Sequence, residues 1–318
     1  MFAMQIPMFS NLPARPPGGT LPVGEELASR STGVTYEEIG CQKVLCPSPA
    51  AQKGGYPFSW TINPYRGCEI GCVYCYARYT HGYLGADPQD FAHRIFIKLG
   101  AERGVAGSLR PPHFAGAEIA IGTATDPYQP AERSYRLTRR ILQRLAAFSG
   151  LTLSITTKSP LVTDDTDLLA AIGRRSRLTV HMSLISLDAS LIRHLEPKAA
   201  TPEARLEAVR RLADAGVRVG LFRMPVIPGL TDSPDQAQAL DAAARAAGAA
   251  YVISQELSLR DDAWPVLAVA LQTHYPRIYP EISRRMAARM AARGRQHKAP
   301  SATTPPCPDT PSGATLFG

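Results

Sequence analysis

The chain has 318 residues, 45% hydrophobic and 19% charged, a globular mixture that excludes a fibrous or wholly disordered protein. No apolar run approaches the roughly 18 residues of a membrane span. The opening stretch MFAMQIPMFSNLPARPPGG lacks the basic n-region of a secretory signal, so the expected compartment is the cytoplasm, with no membrane partner. The formal net charge of +8 admits nucleic-acid or phosphate-bearing partners. It fits a solvated surface as well, because no basic run exceeds two residues.

In chain order, residues 1–30 are rich in Pro, Gly and Ser and read as a flexible arm. The body, 31–293, alternates strand-like and helix-like segments. Aliphatic or β-branched runs bounded by turn residues predict strands over 60–63, 94–98, 118–125, 151–157, 178–185, 217–226 and 250–257. Between them, Leu137, Ile141, Leu145 and Phe148 recur at helical spacing within 131–148, with Pro130 at the start and Gly150 past the end. Thr201 is placed as an N-cap before Pro202 and Glu203. Leu206, Val209 and Leu212 form the stripe of that helix, and Gly216 closes it. Ser233-Pro234 and Gly248 bracket a further helix. Residues 294–318, rich in Pro, Thr and Ser, read as a disordered tail. The alternation predicts an α/β fold with a mainly parallel sheet. Six or seven such units suit a complete or partial barrel or a doubly wound sheet.

Six cysteines stand at 41, 46, 68, 72, 75 and 307. In a reducing compartment a cysteine cluster serves metal binding or catalysis more often than disulfides. Cys68-x3-Cys72-x2-Cys75 follows the first of these strands. Thiolates are soft ligands for iron–sulfur clusters or zinc, and both ordinarily want four ligands. A compact triplet leaves one metal position open to a cofactor or substrate. The alternative is a zinc site completed by His81 or Cys46, which stabilises a loop in a non-catalytic nucleic-acid-binding protein. Cys41 and Cys46 read as packed thiols, against a second metal site or pairing under oxidation.

The C-x3-C-x-aromatic-C spacing, with Tyr74 before the third cysteine, resembles the signature of the radical S-adenosylmethionine (SAM) superfamily. The stretches WTINPYRGCEIGCVYCYAR, DFAHRIFIK, IGTATDPYQPAERSYRLTRRIL, ITTKS, HLEPKAATPEARLEAVRRLADAG and PVIPGLTD resemble its spore photoproduct lyase-like branch, often labelled DNA repair photolyase. Together they run from about 60 to 260. The resemblance implies a partial (β/α) barrel of about six units, followed by C-terminal helices within 31–293 and flanked by the flexible tails. Its active site would lie at the strand C-termini. Polar residues stand at those expected ends: the three cysteines after the first strand, Lys98 at the second, Asp126 at the third, Lys158 at the fourth, Ser183 and Ser186 at the fifth, Arg223 in the sixth and Glu256 in the seventh.

By the same resemblance Cys68, Cys72 and Cys75 hold a [4Fe–4S] cluster and SAM takes its open iron. One electron, from a low-potential donor such as a flavodoxin or ferredoxin, cleaves SAM to a 5′-deoxyadenosyl radical that abstracts hydrogen from substrate. The branch suggests a nucleic-acid base; RNA, a protein or a small metabolite are the alternatives. Tyr74 lies where relatives meet the adenine, chiefly through backbone. Lys158 and Ser183 resemble positions that hold the SAM carboxylate. Asp126, with Tyr128 and Gln129, occupies the loop where many members carry a Gly-Gly-Glu segment for the SAM amino group. That segment is absent here, so Asp126 is a candidate for this contact or for substrate.

Asp126, Tyr128 and Tyr76 are the catalytic candidates. Tyr76 and Tyr79 suit substrate contact or an electron path, with buried packing the commoner role. Arg66, Arg78 and His81 flank the cluster loop, where a nearby cation would tune potential; a solvated surface role suits them equally. Glu196-Pro197 reads as a turn. Spore photoproduct lyase carries a further cysteine near the strand corresponding to 119–125. This chain has Thr123 and Ala124 there and no cysteine between 75 and 307, a departure from thymine-dimer reversal by the known route. The ending Ala314-Thr-Leu-Phe317-Gly faintly resembles peptides that bind sliding clamps.

Overall fold

The aliphatic runs of the sequence pair chiefly with their successors along the chain. The computed structural model describes residues 27–29, 33–41, 43–48, 58–109, 118–258 and 260–296. Its strands are β1 (Leu27–Ser29), β2 (Val34–Gly40), β3 (Leu45–Pro47), β4 (Trp60–Ile62), β5 (Tyr65–Arg66), β6 (Arg94–Leu99), β7 (Glu118–Ile121), β8 (Thr152–Thr157), β9 (Arg177–Ser183), β10 (Val219–Val226) and β11 (Val252–Glu256). The helices are α1 (Ala101–Ser108), α2 (Glu132–Tyr135), α3 (Leu137–Leu145), α4 (Thr166–Gly173), α5 (Ala189–Leu195), α6 (Pro202–Asp214), α7 (Pro234–Ala246), α8 (Trp264–His274) and α9 (Tyr279–Gln296).

The main sheet runs β11-β10-β9-β8-β7-β4-β3. The pairs from β4 to β11 are all parallel, and β3 adds an antiparallel edge. Parallel strands in chain order, each reached through a helical crossover, form the six units of an open barrel. Ile119, Ile121, Leu153, Ile155, Val180, Met182 and Leu221 are buried on one face, beneath a helix layer that supplies Leu137, Ile141, Leu142 and Leu145 from α3. Each such side chain contributes about 1.5–3 kcal/mol on burial. Register and the two-residue period put Ala120, Ser154, Thr156, Thr179, His181, Ser183, Gly220 and Phe222 on the opposite, inner face. That lining is polar or small, except for the ring pair His181–Phe222, stacked at 4.0 Å.

Several expectations need correction. The strand expected at 94–98 is real but lies outside the barrel. As β6 it is interior to a second sheet, β1-β2-β6-β5, and is buried from Ile95 to Lys98. Periodicity reports burial and not the pairing partner, so Lys98 does not stand at the barrel mouth. The strand expected over 118–125 stops at Ile121. Gly122 has φ +86°, and a Cβ there would meet Pro127 Cδ at 2.5 Å and the Thr156 carbonyl at 2.7 Å. The helix expected over 131–148 is broken between α2 and α3 at Arg136, φ +48°. Residues 27–29 belong to β1, paired with β2, although the arm was expected to reach residue 30. Helix α9 runs to Gln296, into the expected tail. Cys307 and the 314–317 motif lie outside the described residues. Among the described residues no helix is long and apolar enough to cross a membrane.

Candidate cluster and cofactor site

The cysteine loop hangs between β5 and a 3-10 segment, Tyr76–Leu84. It opens at Gly67, φ +85°, where a Cβ would meet the Arg94 carbonyl at 2.6 Å, so only glycine lets the loop pass so close to β6. Neighbours then fix the loop through its backbone. The Gly67 carbonyl accepts from Thr125 Oγ1 (2.6 Å) and Gln129 Nε2 (3.2 Å). Cys68 N–H donates to Phe91 O (2.9 Å) and Val73 N–H to Leu195 O (2.9 Å). Glu69 N–H reaches Gln129 Oε1 at 2.9 Å, and its carboxylate accepts from Tyr36 (2.7 Å) and the Ala131 amide (3.0 Å).

Cys68 and Cys72 are buried and Cys75 is half-buried. Burial pushes the Cys72 thiol up to about 12. It also raises Cys68, where the Asp126 charge adds to it, and Cys75. Among the described residues no three His, Cys, Asp or Glu side chains converge where one metal ion could sit. A cubane takes one thiolate at each of three corners, and the three cysteines of this loop supply that donor set. The two candidate fourth ligands for zinc are placed elsewhere. His81 Nε2 is 3.0 Å from the Arg94 carbonyl, and Cys46 lies in edge strand β3 opposite Thr61. Cys41 is buried, and Cys46, expected as a packed thiol, is disulfide-bonded.

Beside Cys72 lies a buried charge cluster at the ends of β8 and β9. Lys158 Nζ is 2.7 Å from Ser183 Oγ, 3.2 Å from Glu196 Oε1 and 5.8 Å from the Tyr74 ring centroid. Glu196 also pairs with Arg205 and accepts from the Tyr74 hydroxyl. Arg205 donates to the Ser183 carbonyl at 2.9 Å. Burial would raise the Glu196 carboxyl, but the facing Lys158 and Arg205 charges outweigh it and hold the group at about 2. Burial would likewise lower Lys158, and the Glu196 charge turns that into a rise. Two cations thus face one carboxylate. The net positive charge sits where an anionic group of a ligand can join Lys158 and Ser183.

The other candidates divide. Asp126 is buried and saturated by its own fold. Oδ1 accepts from the Tyr128 amide (2.9 Å) and Thr157 Oγ1 (2.6 Å), and Oδ2 from the Lys158 amide (2.7 Å). Its carboxyl is raised by burial, against those hydrogen bonds. Tyr128 is fully buried with its hydroxyl 3.1 Å from Asp165. The Tyr76 hydroxyl donates to the Thr123 carbonyl. Tyr79 packs under the Arg260 guanidinium, 4.2 Å from its ring centroid. Glu196 and Arg205 are the residues sequence reasoning missed. Arg205 sits four residues before Val209 on the buried face of α6, and a charge on an apolar stripe is the signal that could have found the pair.

Fold and site together define an open (β/α) barrel that carries a three-cysteine cluster loop at its mouth. The Radical SAM superfamily model matches residues 62–238, more than half of the chain, and the chain belongs to that superfamily. The uncharacterized protein Rv2578c of Mycobacterium tuberculosis is 38% identical over 234 residues, 73% of this chain and 68% of that protein. The uncharacterized protein MJ0683 of Methanocaldococcus jannaschii is 30% identical over 178 residues, 54% and 62% of the two chains. A spore photoproduct lyase variant with bound AdoMet and dinucleoside spore photoproduct aligns at TM-score 0.51 and 18% identity, over 76% of this chain and 66% of that one. Another variant aligns at TM-score 0.54 with the same coverage. At that identity the likeness is one of fold. The cofactors of the superfamily, and of this chain as a member, are a [4Fe–4S] cluster and SAM.

Proposed function

We propose that this protein is a radical SAM enzyme whose cluster is held by Cys68, Cys72 and Cys75, and whose substrate is a nucleic-acid base presented to the barrel mouth. The observation that carries the SAM site is Lys158 Nζ, 2.7 Å from Ser183 Oγ and beside Cys72 within a net positive cluster. When bound, the cluster supplies the electron for SAM cleavage. The residues of the chain do the rest. Lys158 and Ser183 hold the SAM carboxylate, while Glu196 and Arg205 keep Lys158 charged and aimed. The Cys72–Cys75 backbone around Tyr74 borders the adenine, and the tyrosine hydroxyl stays tied to Glu196. Asp126, with both oxygens occupied, braces its loop against Thr157 and Lys158, and Tyr76 ties the cluster loop to the turn after β7.

The small inner-face residues leave room for a substrate group. The net charge of +8 and the fold shared with spore photoproduct lyase support a nucleic-acid substrate. A flavodoxin- or ferredoxin-type donor supplies the electron.

The test is anaerobic reconstitution with iron and sulfide, reduction, and measurement of 5′-deoxyadenosine with DNA, RNA or metabolite pools. Parent protein is expected to form it and Cys72→Ala is not. Stimulation by RNA, protein or metabolites alone would move the substrate class. Uptake of one zinc and no iron would overturn the enzyme reading.

A further inference from the structure

Arg78 lies three residues past Cys75 in the 3-10 segment and is 2% exposed. Its guanidinium meets only carbonyl oxygens, at long range: Cys72 at 3.4 Å, Pro88 at 3.4 Å and Gln89 at 3.5 Å. Nε is buried and without a hydrogen-bond partner, and the Phe91 ring centroid lies 5.9 Å away. Among the described residues no carboxylate pairs with Arg78, whereas the other deeply buried arginine, Arg205, has Glu196. An arginine cannot shed its proton to escape burial, and a buried cation without an anion is costly. The contact of Arg78 Nη2 with the Cys72 carbonyl sets the guanidinium against the cysteine loop, and a cluster held by that loop supplies the missing anionic partner.

We propose that Arg78 is the built-in counter-cation of the cluster, placed against the Cys72–Cys75 side to favour the more negative, reduced state. The proposal rests on the cluster assignment above. It makes Arg78 a positioning and potential-setting residue that touches no substrate.

The experiment compares parent, Arg78→Lys and Arg78→Gln, each reconstituted anaerobically and assayed for iron and sulfide. Mediator-poised redox titration without SAM, read by electron paramagnetic resonance, then gives each midpoint potential. The expected result is a more negative midpoint for Arg78→Gln at equal iron content, with Arg78→Lys close to the parent. An unshifted midpoint in Arg78→Gln overturns the proposal. Cluster loss in Arg78→Gln but not in Arg78→Lys supports it, because charge then decides retention. Loss in both variants overturns it in favour of a packing role. A parent that takes up no iron overturns the cluster assignment itself, and this is distinguishable because the parent is measured first.

Discussion

Glu196 accepts from or pairs with Tyr74, Lys158 and Arg205 at once, so one carboxylate ties the cluster loop to the end of β8 and to α6. Its folded-state pKa, about 2, lies below the ordinary value of 4.5. The stability it contributes is therefore complete above about pH 4.5 and is lost as pH falls towards 2. Glu196→Gln leaves Arg205 buried without its anion, which should cost about 3–5 kcal/mol at neutral pH. Urea unfolding of parent and variant across the acid range checks both points. The gap between them should be constant above pH 4.5 and narrow below it, and a gap that widens on acidification would refute the assignment. Asp126→Asn is a harsher change than it looks. Asn fits at only one of the two acceptor positions and sets a donor against either the Lys158 amide or the Tyr128 and Thr157 donors. A loss of about 1–3 kcal/mol is expected by the same measurement.

Element-scale features show where sequence reading succeeds and where it stops. Helix α6 was legible because its punctuation is local: Thr201 caps the Ala204 amide at 3.3 Å, and Pro202 and the apolar stripe follow. Cys68, Cys72 and Cys75 could be picked out as candidate cluster ligands because that chemistry lies in one short spacing. The break between α2 and α3 was not, because Leu137, Ile141 and Leu145 keep helical period on both readings and the αL turn at Arg136 leaves no mark in that pattern. Nor was the displacement of β6, since Ile95, Phe96 and Ile97 satisfy a barrel strand as well as the strand between β2 and β5. Arg205 stands out as a charge on the apolar stripe of α6, but its pairing with Glu196, nine residues earlier, comes from tertiary placement. Gly122 belongs to the turn element that places Asp126. Its positive φ and the close approach of Pro127 and Thr156 predict that Gly122→Ala costs about 1–2 kcal/mol from the left-handed backbone alone, with more from the clash. Thermal unfolding should show the loss, and the Asp126 loop should lose amide-exchange protection. Unchanged protection would separate the loop from this turn.

For the whole molecule, the partial barrel leaves one side open, and the last crossover reaches back to the first. Arg260, beyond β11, covers the Tyr79 ring, and Gln89 Nε2 donates to the Asp262 carbonyl at 3.2 Å. The mouth is thereby bordered by the first and last loops together, and a ligand there bridges elements distant in sequence. Such a ligand stabilises the entire fold by mass action, because the unfolded chain cannot assemble Lys158, Ser183 and the cysteine loop. At one hundred times its dissociation constant the gain is about 2.7 kcal/mol. For a chain of this size that corresponds to a rise in Tm of roughly 5–10 °C, at about 2–4 °C per kcal/mol. Anaerobic thermal unfolding of the iron–sulfur-loaded protein should therefore show a SAM-dependent rise. Lys158→Met removes a charge-assisted contact of about 1.5–3 kcal/mol and should require roughly 10- to 100-fold more SAM for the same rise. Cys72→Ala, with the cluster site broken, should show little. An equal rise in all three proteins would place SAM away from this site, since neither the thiol nor the lysine would then bear on its binding.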